Sequence, residues 1–527
     1  MTPNAQLQSI LDWAHKDSGS LIVTARAGCG KTTALLALAD AIVRNNMGTV
    51  FIGAYNRPIA TELQDKLKAM DLNWREAEAG TMHSAGFKLI RASTDRVVLD
   101  QKKVEKLVQA HNSPLAERNL GTIKHAVSLA KQTGIGFLHE IEDKDAWLEM
   151  FDHYGLNDVY EDDSTDAIIR ICQDVLVAGT LRDHEVIDYD DMIFSPLYHK
   201  LRVRYPYDWV MLDESQDCTA GRRQLALKLM QPRTGRMVAV GDDRQCIYAY
   251  AGVEANSMTI LRERLSAKEL PLTVTYRCPK AVVREANIYV PDLVAHPSAP
   301  EGVVRSARLQ ASGLKPDEVA RLPNDVHRFT DFEPTDAVLC RNTAPLVKLA
   351  YTLIRAKVPC RVEGRDVGMG IIKLAQKWKV KTLPQLSERL DKYLEREQKK
   401  WAAKGREEQV AAVEDRVETL RALIDLCTSE GKTGVVDLVF QIESMFSDTP
   451  TASDGAGAVD RNARYPLLTL STVHKSKGKE WDRVFILDRE KYMPSPWAKT
   501  EWQINGEENL VYVAITRAKK ELVYLAT

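Results

Sequence analysis

Leu21-Ile-Val-Thr-Ala25-Arg-Ala27-Gly28-Cys29-Gly30-Lys31-Thr32-Thr33 is the stretch on which the fold turns. A short apolar run, read as a buried strand, breaks into a loop of small residues. The loop ends in Lys-Thr before the helix-forming run Ala34-Leu-Leu-Ala-Leu-Ala39. Strand, glycine loop and helix together form a phosphate cradle. Gly28 and Gly30 let successive backbone N–H groups turn toward one anion, and the helix offers its positive end. Lys31 reaches the outer phosphates, and the Thr32 hydroxyl is a ligand for Mg²⁺. Ala25 stands where the usual GxxxxGK[ST] pattern has its first glycine, so the match is incomplete; the flanking strand and helix supply the context the pattern requires.

The chain of 527 residues is too long for one core and corresponds to roughly three or four units of ordinary size. Hydrophobic residues make up 44% and charged residues 28%, as in an ordinary soluble globular protein. Lys+Arg number 72 against 73 Asp+Glu, so no overall basicity marks a nucleic-acid partner and any such site is a local groove. The eight cysteines form no CxxC pair, which argues against zinc or a disulfide framework and for reduced, intracellular thiols. The first residues lack the basic and apolar regions of a signal peptide, and no run of about 18 apolar residues spans a bilayer. A cytoplasmic protein is expected.

Outward from the cradle, Gln6 lies on an amphipathic helix, and its amide offers both the donor and the acceptor that an adenine edge requires. Thr49-Val-Phe-Ile-Gly-Ala54 reads as a second strand, followed by Tyr55, Asn56 and Arg57 and a helix after Pro58. This βα turn lies at the carboxyl edge of a parallel sheet, where ligands bind. In Gly80-Thr81-Met-His83-Ser84, the polar side chains either hold a phosphate or cap a helix. Residues 90–185 turn helical and polar and read as an inserted subdomain.

Tyr207-Asp-Trp-Val-Met-Leu212 is a strand that ends in Asp213-Glu214-Ser215-Gln216-Asp217. A carboxylate there can hold the Mg²⁺ that Thr32 touches, while its neighbour polarises a water. The next strand, Arg236-Met-Val-Ala-Val-Gly241, leads to Gln245, an amide placed to sense a γ-phosphate, and on to Tyr248 and Tyr250, which can stack on something flat.

Asp213-Glu-Ser-Gln-Asp217 followed by Val240-Gly-Asp-Asp-Arg-Gln-Cys-Ile-Tyr248 resembles motifs II and III of the UvrD/Rep-type superfamily 1 helicases. The resemblance extends through nearly the whole chain. Pro3-Asn-Ala-Gln6 is similar to the Q motif and 25–32 to Walker A. Tyr55-Asn56-Arg57 is similar to motif Ia, Gly80-Thr-Met-His-Ser84 to motif Ib, and Ile187-Asp-Tyr189-Asp-Asp-Met192 to the segment re-entering the first core domain. Thr273-Val-Thr-Tyr276-Arg277-Cys-Pro279 looks like motif IV, and Ala337-Val-Leu-Cys-Arg341-Asn342 like motif IVa. Thr472-Val-His474-Lys-Ser-Lys477-Gly478-Lys-Glu480-Trp481 resembles motif V, and Glu508-Asn-Leu-Val-Tyr-Val-Ala-Ile-Thr516-Arg517 motif VI. Two departures stand at Tyr250, where the family commonly has Trp, and Ala251, where it commonly has Arg.

The resemblance implies an α/β protein of two RecA-like parallel-sheet P-loop domains, each with a helical insertion. The first core domain occupies 1–89 and 186–275, with its insertion at 90–185. The second occupies 276–376 and 465–527, with a small helical insertion at 377–464 that reads as a two-helix hairpin. Apolar stripes at Leu386, Leu390 and Leu394, and at Val410, Val413, Val417, Leu420 and Ile424, support the helices; 447–464 reads as a connector. The second half carries no phosphate cradle of its own, so ATP is expected in the cleft of two sheet domains.

By the same resemblance ATP with Mg²⁺ is the cofactor, held by Gln6, Ala27, Gly28, Cys29, Gly30, Lys31, Thr32, Thr33, Tyr276, Gly478 and Glu480, with the metal on Thr32 and Asp213. Lys31, Glu214, Gln245, Arg277 and Arg517 are the expected catalytic residues. Tyr55, Asn56, Thr81, His83, Tyr189, Tyr250, Arg341, Thr472 and His474 are the expected DNA contacts. The implied activity is translocation along single-stranded DNA, 3′ to 5′, with unwinding at single-strand/duplex junctions. A translocase that displaces bound proteins without processive unwinding is the alternative. The chain stops ten residues past Arg517, so no nuclease segment is expected after motif VI.

Overall fold

The computed structural model describes residues 5–94, 96–154, 156, 164–181, 186–247, 256–310, 325–403, 407–446, 467–496, 498 and 501–527. It divides into two units, Met1–Thr273 and Val274–Thr527. No helix among the described residues is long and apolar enough to cross a membrane.

In the first unit the apolar runs form a six-stranded sheet: Leu21–Ala25 (β1), Val50–Ala54 (β2), Ala77–Thr81 (β3), Trp209–Leu212 (β4), Arg236–Gly241 (β5) and Lys268–Leu272 (β6). Their order is β3-β2-β4-β5-β1-β6, and every neighbour pair is parallel. Parallel strands need long crossovers, and the helices Lys31–Arg44 and Arg57–Ala69 fill two of them. Every residue of β2 and β4 is buried, which is why these strands read as unbroken apolar runs rather than alternating ones.

The 90–185 segment forms the helices Lys103–Ala110, Leu120–Thr133, Lys144–Tyr154 and Thr165–Leu181 around a core of their own that includes Ile123, Trp147, Phe151 and Ile168. A buried ionic cluster ties it to residues 188–191. Lys131 Nζ lies 2.7 Å from both Asp188 and Asp191, and Lys103 Nζ lies 2.7 Å from Asp191. Burial opposes the Asp191 charge, but Lys131 and Lys103 outweigh it and hold that carboxyl below its ordinary range.

The second unit is a seven-stranded parallel sheet: Val303–Leu309 (β7), Val326–His327 (β8), Ala337–Cys340 (β9), Cys360–Val362 (β10), Leu468–Thr472 (β11), Trp481–Leu487 (β12) and Ala518–Ala526 (β13). The order is β8-β7-β13-β12-β9-β11-β10. The parallel α/β architecture read from the sequence is the one observed.

Between β10 and β11 the expected hairpin is present as the helices Leu383–Ala403 and Glu407–Ser429, with Leu386, Leu390, Val410, Val413, Val417, Leu420 and Ile424 buried. Gly405 and the 447–464 connector lie outside the described residues. Two further helices, Arg365–Gln376 and Val435–Met445, join the hairpin, so the helical segment starts at Arg365. Ile371, Ile372, Leu438 and Ile442 supply their buried faces and belong to the same core as the sheet.

Candidate nucleotide site and nucleic-acid interface

The cradle loop requires its glycines. Gly28 and Gly30 have φ of 69° and 85°, a left-handed region that costs other residues about 1–2 kcal/mol. Gly30 caps the helix Lys31–Arg44, whose first bond runs from the Ala34 N–H to the Gly30 carbonyl at 2.9 Å. Ala27 and Cys29 are buried beneath the loop, Thr32 is half-buried and Thr33 is exposed.

Strand β4 delivers the acids to the same place. Lys31 Nζ lies 2.7 Å from Glu214 Oε2, although the two are 183 positions apart. Glu214 itself has φ 48° and ψ 46°, a strained backbone for a residue with a side chain, of the kind that concentrates at functional sites. The Gln216 amide links this turn to the next strand, donating to Glu214 Oε2 at 2.6 Å and accepting the Asp242 N–H at 3.0 Å. Gly241 makes room for it, since a Cβ there would lie 2.5 Å from Gln216 Oε1. Gln245 is buried, and its amide donates to Asp242 Oδ2 at 2.6 Å.

The electrostatics follow from burial. Asp213, 5% exposed and beside Glu214, has its carboxyl pushed up to about 7, chiefly by desolvation. Desolvation likewise raises Asp242, which Lys31, Arg26 and Gln245 partly offset. Burial also works against the Lys31 charge, yet Glu214, Asp242 and Asp213 outweigh it and hold that ammonium above its usual value. The Asp213 carboxyl and the Thr32 hydroxyl are both hard oxygen donors, the kind that suits Mg²⁺. No cluster of three or more His, Cys, Asp or Glu able to hold a metal occurs among the described residues.

Of the nucleic-acid candidates in this unit, Tyr55 and Tyr189 are 36% and 52% exposed, open enough to stack. Asn56 Oδ1 accepts the Ile59 N–H at 3.0 Å and Thr81 Oγ1 the Ser84 N–H at 3.1 Å, so both cap helices. His83 is pushed down to about 4, first by burial and then by Arg222, and is neutral near pH 7. Tyr250 lies outside the described residues, as do Tyr248 and Ala251. Gln6, the adenine candidate, uses both ends of its amide on Thr273, donating to Oγ1 and accepting from N–H at 2.9 Å each.

In the second unit the expected residues are already engaged. Arg277 Nε lies 2.5 Å from Glu480 Oε2, joining two residues that were expected to act separately. Tyr276 is 52% exposed, with its ring 4.7 Å from that of His296. Gly478 has φ 84°. Arg517, expected among the catalytic residues, is 1% exposed and donates to the Val513 and Lys479 carbonyls at 2.9 and 3.1 Å. The apolar run leading into motif VI folds as the helix Glu501–Ile515, and the arginine closes its last turn. Arg341 pairs with Glu507 at 2.9 Å. Thr472 precedes the short helix Val473–Ser476, and half-buried His474 is pushed down to about 3 by desolvation, Arg341 and Lys477.

Three residues of these sites were not singled out from the sequence. Gln216 sits inside the acidic motif, where the acids drew the reading. Arg222 lies 5.6 Å from the Tyr55 ring centroid and shares a narrow cleft with Tyr55, His83, Asp213 and Glu214. Glu507 neutralises Arg341 from 166 positions away. Neither Arg222 nor Glu507 has a local signature.

Comparison with known proteins agrees with this geometry. The family model for the UvrD/REP helicase N-terminal domain matches residues 8–266, and that for the UvrD-like helicase C-terminal domain matches 371–527. F-box DNA helicase protein 1 of Schizosaccharomyces pombe is 24% identical, over 95% of this chain and 55% of its own length. DNA helicase II of Haemophilus influenzae is 23% identical over 66% of this chain and 49% of its own. ATP-dependent DNA helicase Rep of Escherichia coli is 23% identical over 52% and 41%. The chain spans about half the length of the curated relatives it matches first. With both halves matched in order and the cradle and acids gathered at one sheet edge, the sheets are RecA-like and the chain belongs to the UvrD/REP helicase family.

Proposed function

We propose that this chain is a DNA-stimulated ATPase that moves along single-stranded DNA in the 3′ to 5′ direction and unwinds duplex at single-strand/duplex junctions. The observation that carries this reading is the Lys31–Glu214 contact of 2.7 Å beside buried Asp213. It gathers the phosphate-binding cation, the base and the metal ligand within one sheet edge.

Lys31 exchanges Glu214 for the outer phosphates of ATP, which leaves the Glu214 carboxylate open to a water. Glu214 takes the proton as the water oxygen attacks the γ-phosphorus; the bond to the bridging oxygen breaks and ADP leaves. Thr32 and Asp213 would hold Mg²⁺, which would supply charge neutralisation at the phosphate oxygens. Gln245 responds to the γ-phosphate, and Arg277 and Arg517 stabilise the charge that develops on it. Tyr276 stacks on adenine, and Gly478 and Glu480 face the ribose side. Tyr55, Tyr189 and Tyr250 stack on bases, each contact worth about 1–3 kcal/mol. Thr81, Asn56, Thr472 and Arg341 meet the backbone, and His83 and His474 act there as neutral hydrogen-bond partners.

Lys31→Ala is expected to abolish ATP hydrolysis on oligo-dT; wild-type turnover by that variant would overturn the site. Unwinding of duplexes carrying a 3′ but not a 5′ tail is the expected polarity. Protein displacement from single strands without any unwinding would favour the translocase alternative.

A further inference from the structure

We propose that the amino edge of the first sheet is a second contact surface for single-stranded nucleic acid. It lies at the opposite ends of the strands from Tyr55, Thr81 and His83. The proposal is independent of the ATPase reading.

The segments entering β3, β4 and β5 all reach this edge because the strands are parallel. Tyr207 fastens the entrances together. Its hydroxyl donates to Glu78 at 2.7 Å, its N–H donates to the Leu229 carbonyl at 2.9 Å, and its own carbonyl accepts the Gln231 N–H at 2.7 Å. With strands about 4.8 Å apart, the entrances to β3 and β5, three places apart in the sheet, lie about 15 Å from each other. That span suits several successive nucleotides.

Five cations stand along it. Arg75, Lys200, Arg202, Arg204 and Arg233 are all exposed, and none forms an ion pair among the described residues. The nearby acids Asp71, Glu76 and Asp208 are fewer than the five cations, and Glu76 and Asp208 are half-buried and turned to Asn73 and Thr49, leaving Asp71 as the exposed acid of these turns. In a chain with 72 basic and 73 acidic residues, such local asymmetry favours a polyanion.

Two aromatic rings stand among the cations. Trp74 is 65% exposed and Tyr205 79% exposed, and the Arg75 guanidinium sits 5.3 Å from the Trp74 ring centroid. Open rings beside arginines are platforms on which unpaired bases stack whatever their sequence. An acidic polypeptide would satisfy the cations but would offer nothing flat to the rings, so the combination selects a nucleic acid with unpaired bases.

Photocrosslinking of the full chain to iodouracil-substituted oligo-dT tests the proposal. The expected result is adducts at Trp74 or Tyr205. In Arg202→Glu/Arg204→Glu these adducts are lost, and the slope of log affinity against log salt becomes shallower by about 1.4. Trp74→Ala/Tyr205→Ala is expected to lose the adducts while keeping most of the salt slope. Lys31→Ala should retain them, so failure of the ATPase assignment and failure of this surface are told apart. Adducts confined to other residues, an unchanged salt slope in the charge-reversed variant, or suppression of adduct formation by poly-glutamate added before irradiation as readily as by unsubstituted oligo-dT would each overturn it.

Discussion

In the first unit the charges selected from the sequence are held at a cost: desolvation pushes the Asp213 carboxyl up to about 7, and Glu214 occupies a left-handed backbone. In the second unit each selected arginine already has its partner, Arg341 in Glu507, Arg277 in Glu480 and Arg517 in backbone carbonyls. The contrast separates two kinds of site. One is completed by a ligand that brings a cation and an anion together; the other gives up an internal partner whenever it engages a ligand.

The largest test of that contrast is Arg517→Ala. If the arginine serves the nucleotide, DNA-stimulated kcat should fall by about 10³ to 10⁵. An unchanged kcat with only a lowered melting temperature would make Arg517 a structural residue and erase half of the comparison. Next comes Glu507→Gln, which releases Arg341. Affinity for oligo-dT should rise several-fold in a filter-binding titration, with a salt slope steeper by about 0.7 for one added phosphate contact. A flat result would mean that Arg341 is committed to the fold.

Smaller still is the effect of Asp213→Asn on the nucleotide-free chain. Removing a carboxylate that burial disfavours should raise the melting temperature by about 2–4 °C at pH 8, as read by calorimetry. A lowered melting temperature would show that Asp213 is satisfied as it stands. The smallest effect concerns a half-buried neutral histidine in each unit. His83 and His474 are pushed down to about 4 and about 3 from a free value of 6.5. Their stabilisation is complete above about 6.5 and is lost as the pH falls toward 4, because the unfolded chain takes up the protons first. Urea midpoints of the wild type should decline across that window, and His83→Gln should flatten part of the decline.

What was legible from the sequence was local. The cradle declares itself because Gly28 and Gly30 must turn left-handed directly between a strand and a helix, and Asp213 and Glu214 because they end a fully apolar strand. The stripes at Leu386 and Val410 gave two helices of the second insertion. Neither the strand order nor the Arg341–Glu507 pair could be read, since both depend on contacts between distant residues. The same holds for Gln6, whose amide was matched to adenine but is tied to Thr273 267 positions away. Thr81 was ambiguous between cap and phosphate ligand for a physical reason: one hydroxyl serves either role, and here it accepts from Ser84.

The cluster of Lys103, Lys131, Asp188 and Asp191 has a mechanical implication. Swinging the first helical insertion away from its sheet would strand charges already removed from water, at about 3–5 kcal/mol for each pair broken. Thermal agitation is several-fold weaker than that. The insertion therefore rides with its sheet as a strut.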